Sequence, residues 1–369
     1  MAGTMGVMGV MGVMGVMGVM GVTGANANSD SGSNTNSDSM SGMLIDALNK
    51  TRHSLVDEPN QGLRDPSIPA VEDATNLRRW DSSVRMKVYG FDLLSQLQFE
   101  ANPELGSATI GRLSLQHGKN KAANTFEVLP IASITRPKDT KLIAFFKEQL
   151  KLVESWSELR EERASEIMCQ LTPQFSFWNA IAHLSLETKP KTLELMLLGL
   201  QVCAFAEVRF KHSLSCPRPI DFSTNLQPII PTPTHATLPS GHATESFFMA
   251  HMLESLLPNG ADYNGQLQGL AARVAINRTV AGLHFPADSQ AGQMLGQSLA
   301  EYFVAICRKD NAKPSWQARA IDLNKFDSSV DFLPNKLSTG DLTSFTASSN
   351  KLIPIQWLWD AAAVECAIV

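Results

Sequence analysis

Asn277-Arg278-Thr279-Val280-Ala281-Gly282-Leu283-His284-Phe285-Pro286-Ala287-Asp288 is the stretch from which the rest of the chain is read. It separates two helical patterns. Gly282 is a natural C-terminal stop for the first, and Pro286 suits the opening position of the second. His284 is then left in the connecting turn, with Asp288 near the third position of the new helix. Four residues apart, Asp288 can accept the Nδ1 proton of His284 and fix its tautomer. That frees Nε2 as a nucleophile or a metal ligand.

Outward from this turn, Leu, Ala, Met and Phe recur at helical spacing over 263–281 and 286–308, and before them over 175–186, 190–214 and 241–257. Asp139 can cap a longer pattern through Leu142, Ile143, Phe145, Phe146, Leu150, Leu152 and Val153, running to about Leu171. Trp80 to Phe99 reads as an amphipathic helix, and 104–137 as loop with a short hairpin. No β-α alternation appears. The expected fold is all-α, a large soluble helical bundle. Its expected organisation is a disordered leader over 1–42, a catalytic domain over 43–308 and a C-terminal extension over 309–369, polar until Leu352–Trp359.

Composition narrows the function. Thirty-one basic against 36 acidic side chains give a net charge of −5, which argues against nucleic acid as a partner. The five cysteines make no C-x-x-C or C-x-x-H pair, so neither a zinc site nor a redox dithiol is expected. From Met5 to Val22, Met-Gly-Val repeats six times, followed by an Asn-, Ser- and Gly-rich stretch to Gly42. Glycine at every third place is entropically expensive to order, hence the reading as a leader. Ala25-Asn26-Ala27 has the form of a signal-peptidase site, yet no Lys or Arg precedes the apolar run. Cytoplasmic residence is the expectation, with export through the uncharged segment as the alternative. The longest apolar span of the body, Leu193 to Ala206, contains Glu194 and Gln201, so no transmembrane segment is expected there.

Two more stretches carry chemistry. In Lys211-His-Ser-Leu-Ser-Cys-Pro-Arg218-Pro219, two cations sit seven residues apart where prolines force a helix end into a loop. In Pro239-Ser240-Gly241-His242-Ala243-Thr244, a turn with Ser and Gly opens directly into an apolar helix. Free amides at such a start make an anion site. Gly241 lets backbone approach an oxyanion, Ser240 offers a hydroxyl and His242 can exchange a proton.

Taken together, K-x6-R-P, P-S-G-H and R-x5-H-x3-D resemble the signature shared by type 2 phosphatidic acid phosphatases, class A acid phosphatases and vanadium haloperoxidases. Ten of its eleven fixed residues are present, with intervening gaps of 19 and 34 residues; Asn277 stands where the family has Ser. The resemblance covers about residues 140–308. It implies a cage of Lys211, Arg218 and Arg278 around phosphate or vanadate, completed by the Ser240 hydroxyl and the Gly241 amide. His284, held by Asp288, would be the axial nitrogen, and the vanadium ligand in a vanadate enzyme. His242 would face it from the opposite apex.

Two reactions are implied by the resemblance. As a haloperoxidase, the chain would hold vanadate as cofactor, with His242 assisting peroxide binding and Lys211 polarising it for attack by halide. As an acid phosphatase it would need no cofactor, and would hydrolyse phosphomonoesters through a phosphohistidine on His284. Pro-Ser-Gly-His-Ala-Thr and Ala281-Gly-Leu-His-Phe look like the haloperoxidase versions. His235, seven residues before His242, stands where algal bromoperoxidases have a His, a candidate halide-site residue. Val208 and Leu238 stand where haloperoxidases commonly have aromatics. Haloperoxidase is the expectation, acid phosphatase the alternative, and an oxyanion-binding protein without turnover the third reading. The partner in each case is a small molecule, and a homo-oligomer is compatible with helical faces of this kind.

Overall fold

Residues 35–55, 65–116, 125–171, 174–308, 313–334, 343–347 and 354–367 are described by a computed structural model of the chain. Most of the leader, up to Asn34, lies outside them. The chain divides into two units at Arg79 and Trp80. The smaller contains helix α1 (Thr35–Leu55) and a 3-10 turn, Ala74–Arg79.

The larger unit opens with α2 (Ser82–Leu94), whose first turn is capped by Asp81 through the Ser83 amide, 3.0 Å. Strands β1 (Leu97–Asn102), β2 (Ser107–Gln116) and β3 (Thr125–Thr135) come next. Then come α3 (Asp139–Trp156), α4 (Arg160–Cys169), α5 (Phe175–Ala182), α6 (Pro190–Leu214) and the short α7 (Pro219–Phe222). The helices α8 (Gly241–Leu256), α9 (Gly260–Val280) and α10 (Pro286–Cys307) complete the helical core. The chain ends in β4 (Ser315–Asp322), β5 (Thr343–Thr346) and α11 (Ile355–Ala367).

Helix α8 is the axis of the core, packed by α6, α9 and α10. Phe247, Phe248, Met249, Met252 and Leu253 are all buried on it. Glycines set how close its neighbours come. A Cβ at Gly199 of α6 would lie 2.2 Å from the Phe248 ring. On α10, one at Gly292 would lie 2.6 Å from the Ser240 carbonyl oxygen, and one at Gly296 2.2 Å from that of Thr244. The first turn of α8 is therefore seated backbone to backbone on α10, and a larger residue at either glycine must displace it.

The expectation of an all-α fold is overturned by a five-stranded mixed sheet in the order β1-β2-β3-β4-β5. Neighbours are antiparallel except β3 and β4, which run parallel from Ala132↔Arg319 to Thr135↔Asp322. The connection between those two carries every helix from α3 to α10, so the sheet closes over the chain that leaves and re-enters it. Trp316 of β4 locks the closure: its Nε1 donates to the Pro130 carbonyl at 2.8 Å, and its ring meets Tyr302 of α10 edge-on at 5.1 Å. The strands escaped the hydrophobic pattern for a physical reason. Gly111 and Pro130, both poor strand residues, face each other at a register shift, where a Cβ on Gly111 would strike the Leu129 carbonyl oxygen at 2.6 Å. The helix expected to run to Phe99 ends at Leu94, because Leu97 and Phe99 belong to β1.

The described residues of the C-terminal extension are built into this unit. Glu365 of α11 accepts the Lys191 and Thr192 amides, 2.9 and 2.8 Å, and so caps the start of α6. Among the described residues, no helix is long and apolar enough to cross a membrane.

Candidate active site

Helix α8 begins at Gly241 with Ser240 as its N-cap; the Ser240 Oγ accepts the Ala243 amide at 3.4 Å. The Gly241 and His242 amides fall in the first turn, where a helix offers them no acceptor of its own. Ser240 is also tied to α10, its amide donating to the Asp288 carbonyl at 3.0 Å. At the end of α6, the buried Lys211 ammonium donates to the Thr237 carbonyl at 3.1 Å and to that of Pro239. Arg218 completes this wall. Its Nε donates to the His235 carbonyl (2.8 Å), Nη1 to the Leu283 carbonyl (2.9 Å), and Nη2 lies 3.2 Å from His235 Nδ1. Both cations are thus used to fold the 235–240 loop against the His284 turn.

Pro286 opens α10, and Asp288 is its third residue. One oxygen of Asp288, Oδ2, accepts the Phe285 amide at 2.8 Å and the Thr237 hydroxyl at 2.5 Å, and lies 3.2 Å from His284 Nδ1. Thr237 Oγ1 is itself 3.1 Å from that nitrogen. The Nδ1 edge of His284 therefore faces acceptors supplied by the protein, leaving Nε2 for chemistry. The turn that presents it is clamped by Arg160, which donates to the Val280 carbonyl (2.8 Å) and the Leu226 carbonyl (2.7 Å). Gly282 sits there at φ +83°, with no space for a Cβ beside the Arg160 guanidinium. Burial pushes Asp288 up to about 6, against the pull of its Thr237 and Phe285 donors. Burial, then the Arg218 and Lys211 cations, hold His284 well below the usual imidazole range, so it is neutral at physiological pH.

Arg278 forms the other wall, from α9. Its Nη2 donates to the Gln170 Oε1 at 3.1 Å and to the Ile167 carbonyl at 3.2 Å, while the buried Nε and Nη1 have no hydrogen-bond partner among the described residues. Gln170 also takes His242: its carbonyl oxygen is 3.0 Å from His242 Nε2, so Nε2 donates and Nδ1 is left as the acceptor. Asn277, in the place of the family Ser, donates to Gln170 Oε1 (3.0 Å) and Glu166 Oε1 (2.9 Å). Glu166 in turn holds Arg273 through a 2.8 Å ion pair. Burial, with Arg278 adding to it, depresses His242 to about 3. Burial also lowers Arg278, to about 10, which still leaves it charged at neutral pH.

Lys211, Arg218, His235, Ser240, Gly241, His242, Arg278, His284 and Asp288 are thus brought to one place, tied by these bonds and by mutual charge. His235 belongs to the wall and is not a solvated loop residue. Thr237 and Gln170 were missed by sequence reading. Thr237 lies inside the His235–Ser240 loop that the motif spans, a weak signal; nothing local marks Gln170. Three cations, a helix start, a hydroxyl and two unpartnered guanidinium donors make a donor set that fits a tetrahedral oxyanion, phosphate or vanadate alike.

A model described as the PAP2 superfamily matches residues 193–312. The match spans the chain from α6 through the end of α10 and includes every sequence-predicted site residue from Lys211 to Asp288. Among curated proteins, none matches.

Proposed function

We propose that this chain is an enzyme that grips a tetrahedral oxyanion between Lys211, Arg218, Arg278, the Ser240 hydroxyl and the Gly241 amide, and that it acts as a vanadate-dependent haloperoxidase. The observation that carries the anion reading is the Arg278 guanidinium, charged, fully buried and with Nε and Nη1 unpartnered. Leaving such donors unpaired is costly unless a ligand engages them. The residues that would hold vanadate are those five for its oxygens and His284 Nε2 for the metal. Bound vanadate supplies a Lewis acid that activates hydrogen peroxide toward halide without changing oxidation state. Lys211 adds positive charge beside the developing oxyanion. His242, neutral and with Nδ1 uncommitted, can accept a proton from an incoming peroxide. His235, set against Arg218, is the residue that the haloperoxidase reading assigns to the halide.

The PAP2 match favours a second reading, phosphomonoester hydrolysis on the same atoms. There His284 Nε2 attacks phosphorus, the P–O bond to the alkoxide breaks, and a phosphohistidine forms. His242, protonated once the substrate anion raises its proton affinity, gives its proton to the alkoxide and then takes one from the water that attacks the phosphohistidine, breaking the P–Nε2 bond and releasing phosphate. The three cations offset the charge that gathers on the equatorial oxygens. A binding protein without turnover is least supported, since it would need neither histidine nor the Asp288 orientation.

Purified protein with and without orthovanadate, assayed for bromination by peroxide and bromide beside hydrolysis of an aryl phosphate, separates these. Bromination confined to the vanadate-treated sample supports the haloperoxidase. Hydrolysis that vanadate inhibits supports the phosphatase. Tight vanadate binding with neither activity leaves the binding protein.

A further inference from the structure

Behind the cage lie two carboxyl groups that neither reaction uses, Glu207 buried on α6 and Glu245 half-buried on α8. Glu207 lies one helical turn before Lys211 on α6, and its carboxyl group presses against the Pro-Ser-Gly-His turn. A Cβ built on Gly241 would lie 2.5 Å from Glu207 Oε1 and 2.9 Å from Oε2. Glu207 is 5% exposed, and its buried Oε2 has no hydrogen-bond partner among the described residues. Glu245 stands one turn beyond Gly241 on α8, on the side that Gly241 turns toward Glu207. Lys211 offsets this arrangement only in part, because two of its three ammonium hydrogens go to the Thr237 and Pro239 carbonyls.

Like charges repel strongly in a site this dry. A carboxylate against the Gly241 backbone opposes an oxyanion bound by the same turn, and a second carboxylate one helical turn along α8 adds to that repulsion. Resting on the oxyanion reading above, we infer that the tetrahedral anion enters this site together with one proton, which the Glu207–Glu245 pair takes up. The pocket then accepts a dianion plus a proton, the charge equivalent of a monoanion. Burial acts in the same direction, raising both carboxyls above their ordinary range, with Glu207 pushing Glu245 further and Lys211 pulling both back. The groups that share charge with the pair are Lys211 and Cys203 from α6 and the two carboxyls themselves. As pH rises the pair ionises and anion affinity falls, by at most about tenfold per pH unit for one linked proton.

Molybdate is the probe, since it holds no titratable proton of its own near neutral pH. Calorimetry of molybdate binding in buffers of different ionisation enthalpy should show uptake of about one proton per anion. Infrared difference spectra, molybdate-bound minus free, should show a protonated-carboxyl C=O stretch that Glu207→Gln and Glu245→Gln each alter or remove. Binding without proton uptake overturns the coupling while leaving the anion site standing. Uptake without a carboxyl band assigns the proton to Lys211 or His242 and equally overturns it. Failure of molybdate and vanadate to bind removes the oxyanion reading and this inference with it. The infrared measurement on the unaltered protein decides the matter even if a variant fails to fold.

Discussion

His284 and Arg278 stand six residues apart, yet the protein treats them in opposite ways. His284 meets its acceptors in advance: the Asp288 carboxylate and the Thr237 hydroxyl occupy its Nδ1 edge at 3.2 and 3.1 Å. Among the described residues, Arg278 is anchored through Nη2, and its Nε and Nη1 are buried without partners. Under the proposed function, the difference reflects the task of each. An axial nitrogen acts through its direction, so its orientation has to be fixed before the reaction begins. A cage cation acts through donors that the anion itself satisfies, so any internal partner would compete with the ligand. One wall is complete as folded, and the other is completed by what binds.

The sharpest way to break this contrast is to remove each side in turn. His284→Ala should lower turnover about 10⁴-fold in whichever assay is positive, as loss of a nucleophile or axial ligand does. Vanadate binding through the cations should persist, if weakened, in a direct titration. Turnover near the unaltered level would remove the axial assignment. Arg278→Ala should act on binding instead, weakening vanadate or phosphate about 10- to 150-fold, since charged hydrogen bonds carry roughly 1.5–3 kcal/mol. An anion affinity that does not move would contradict the cage.

The same contrast explains how much was readable beforehand. The helices α6, α8, α9 and α10 are legible in apolar spacing, and their ends in Pro190, Gly241 and Pro286, because these act within one turn of sequence. The long pattern from Asp139 is interrupted by a 3-10 turn at Ser157–Leu159 that spacing alone did not signal. The sheet was hidden because its parallel pair joins residues far apart in sequence, and Gly111 and Pro130 dilute its alternation. In the site, His284 and Asp288 are legible as local partners, four residues apart. Gln170 reaches His242 across 72 positions and Arg278 across 108, offering a carbonyl and an amide oxygen that many residues could supply. Its role is set by the placement of α4, which no local pattern encodes.

A milder change sharpens the His284 side. Thr237→Val keeps the shape and removes the hydroxyl that donates to Asp288 Oδ2 at 2.5 Å. Turnover should fall about tenfold, the loss of roughly 1.4 kcal/mol from one buried hydrogen bond to a charged group. Because that donor lowers Asp288, whose value burial has raised to about 6, its removal should move the acidic limb of the pH–rate profile upward. A uniform loss of rate with an unmoved profile would make Thr237 a packing residue only.

The smallest effect lies in stability against pH and tests whether His242 is neutral as its Gln170 bond requires. Unfolded, the imidazole takes a proton near 6.5; folded, it resists until about 3. The folded chain thus binds fewer protons across that window, so this contribution to stability is whole above 6.5 and is lost as pH falls toward 3. Glu207 and Asp288, raised by burial, act with the opposite sign over part of the same range, so the unaltered protein alone cannot isolate it. His242→Gln removes only this contribution, and the difference between two melting curves cancels the rest. As pH falls below 6.5, the unaltered chain should lose ground to the variant by about 2–4 °C for each kcal/mol of linkage. A difference that stays constant with pH would mean that His242 titrates alike in the folded and unfolded chains, and one that runs the opposite way would mean that the fold holds it protonated, with Nδ1 a donor and the acceptor role lost.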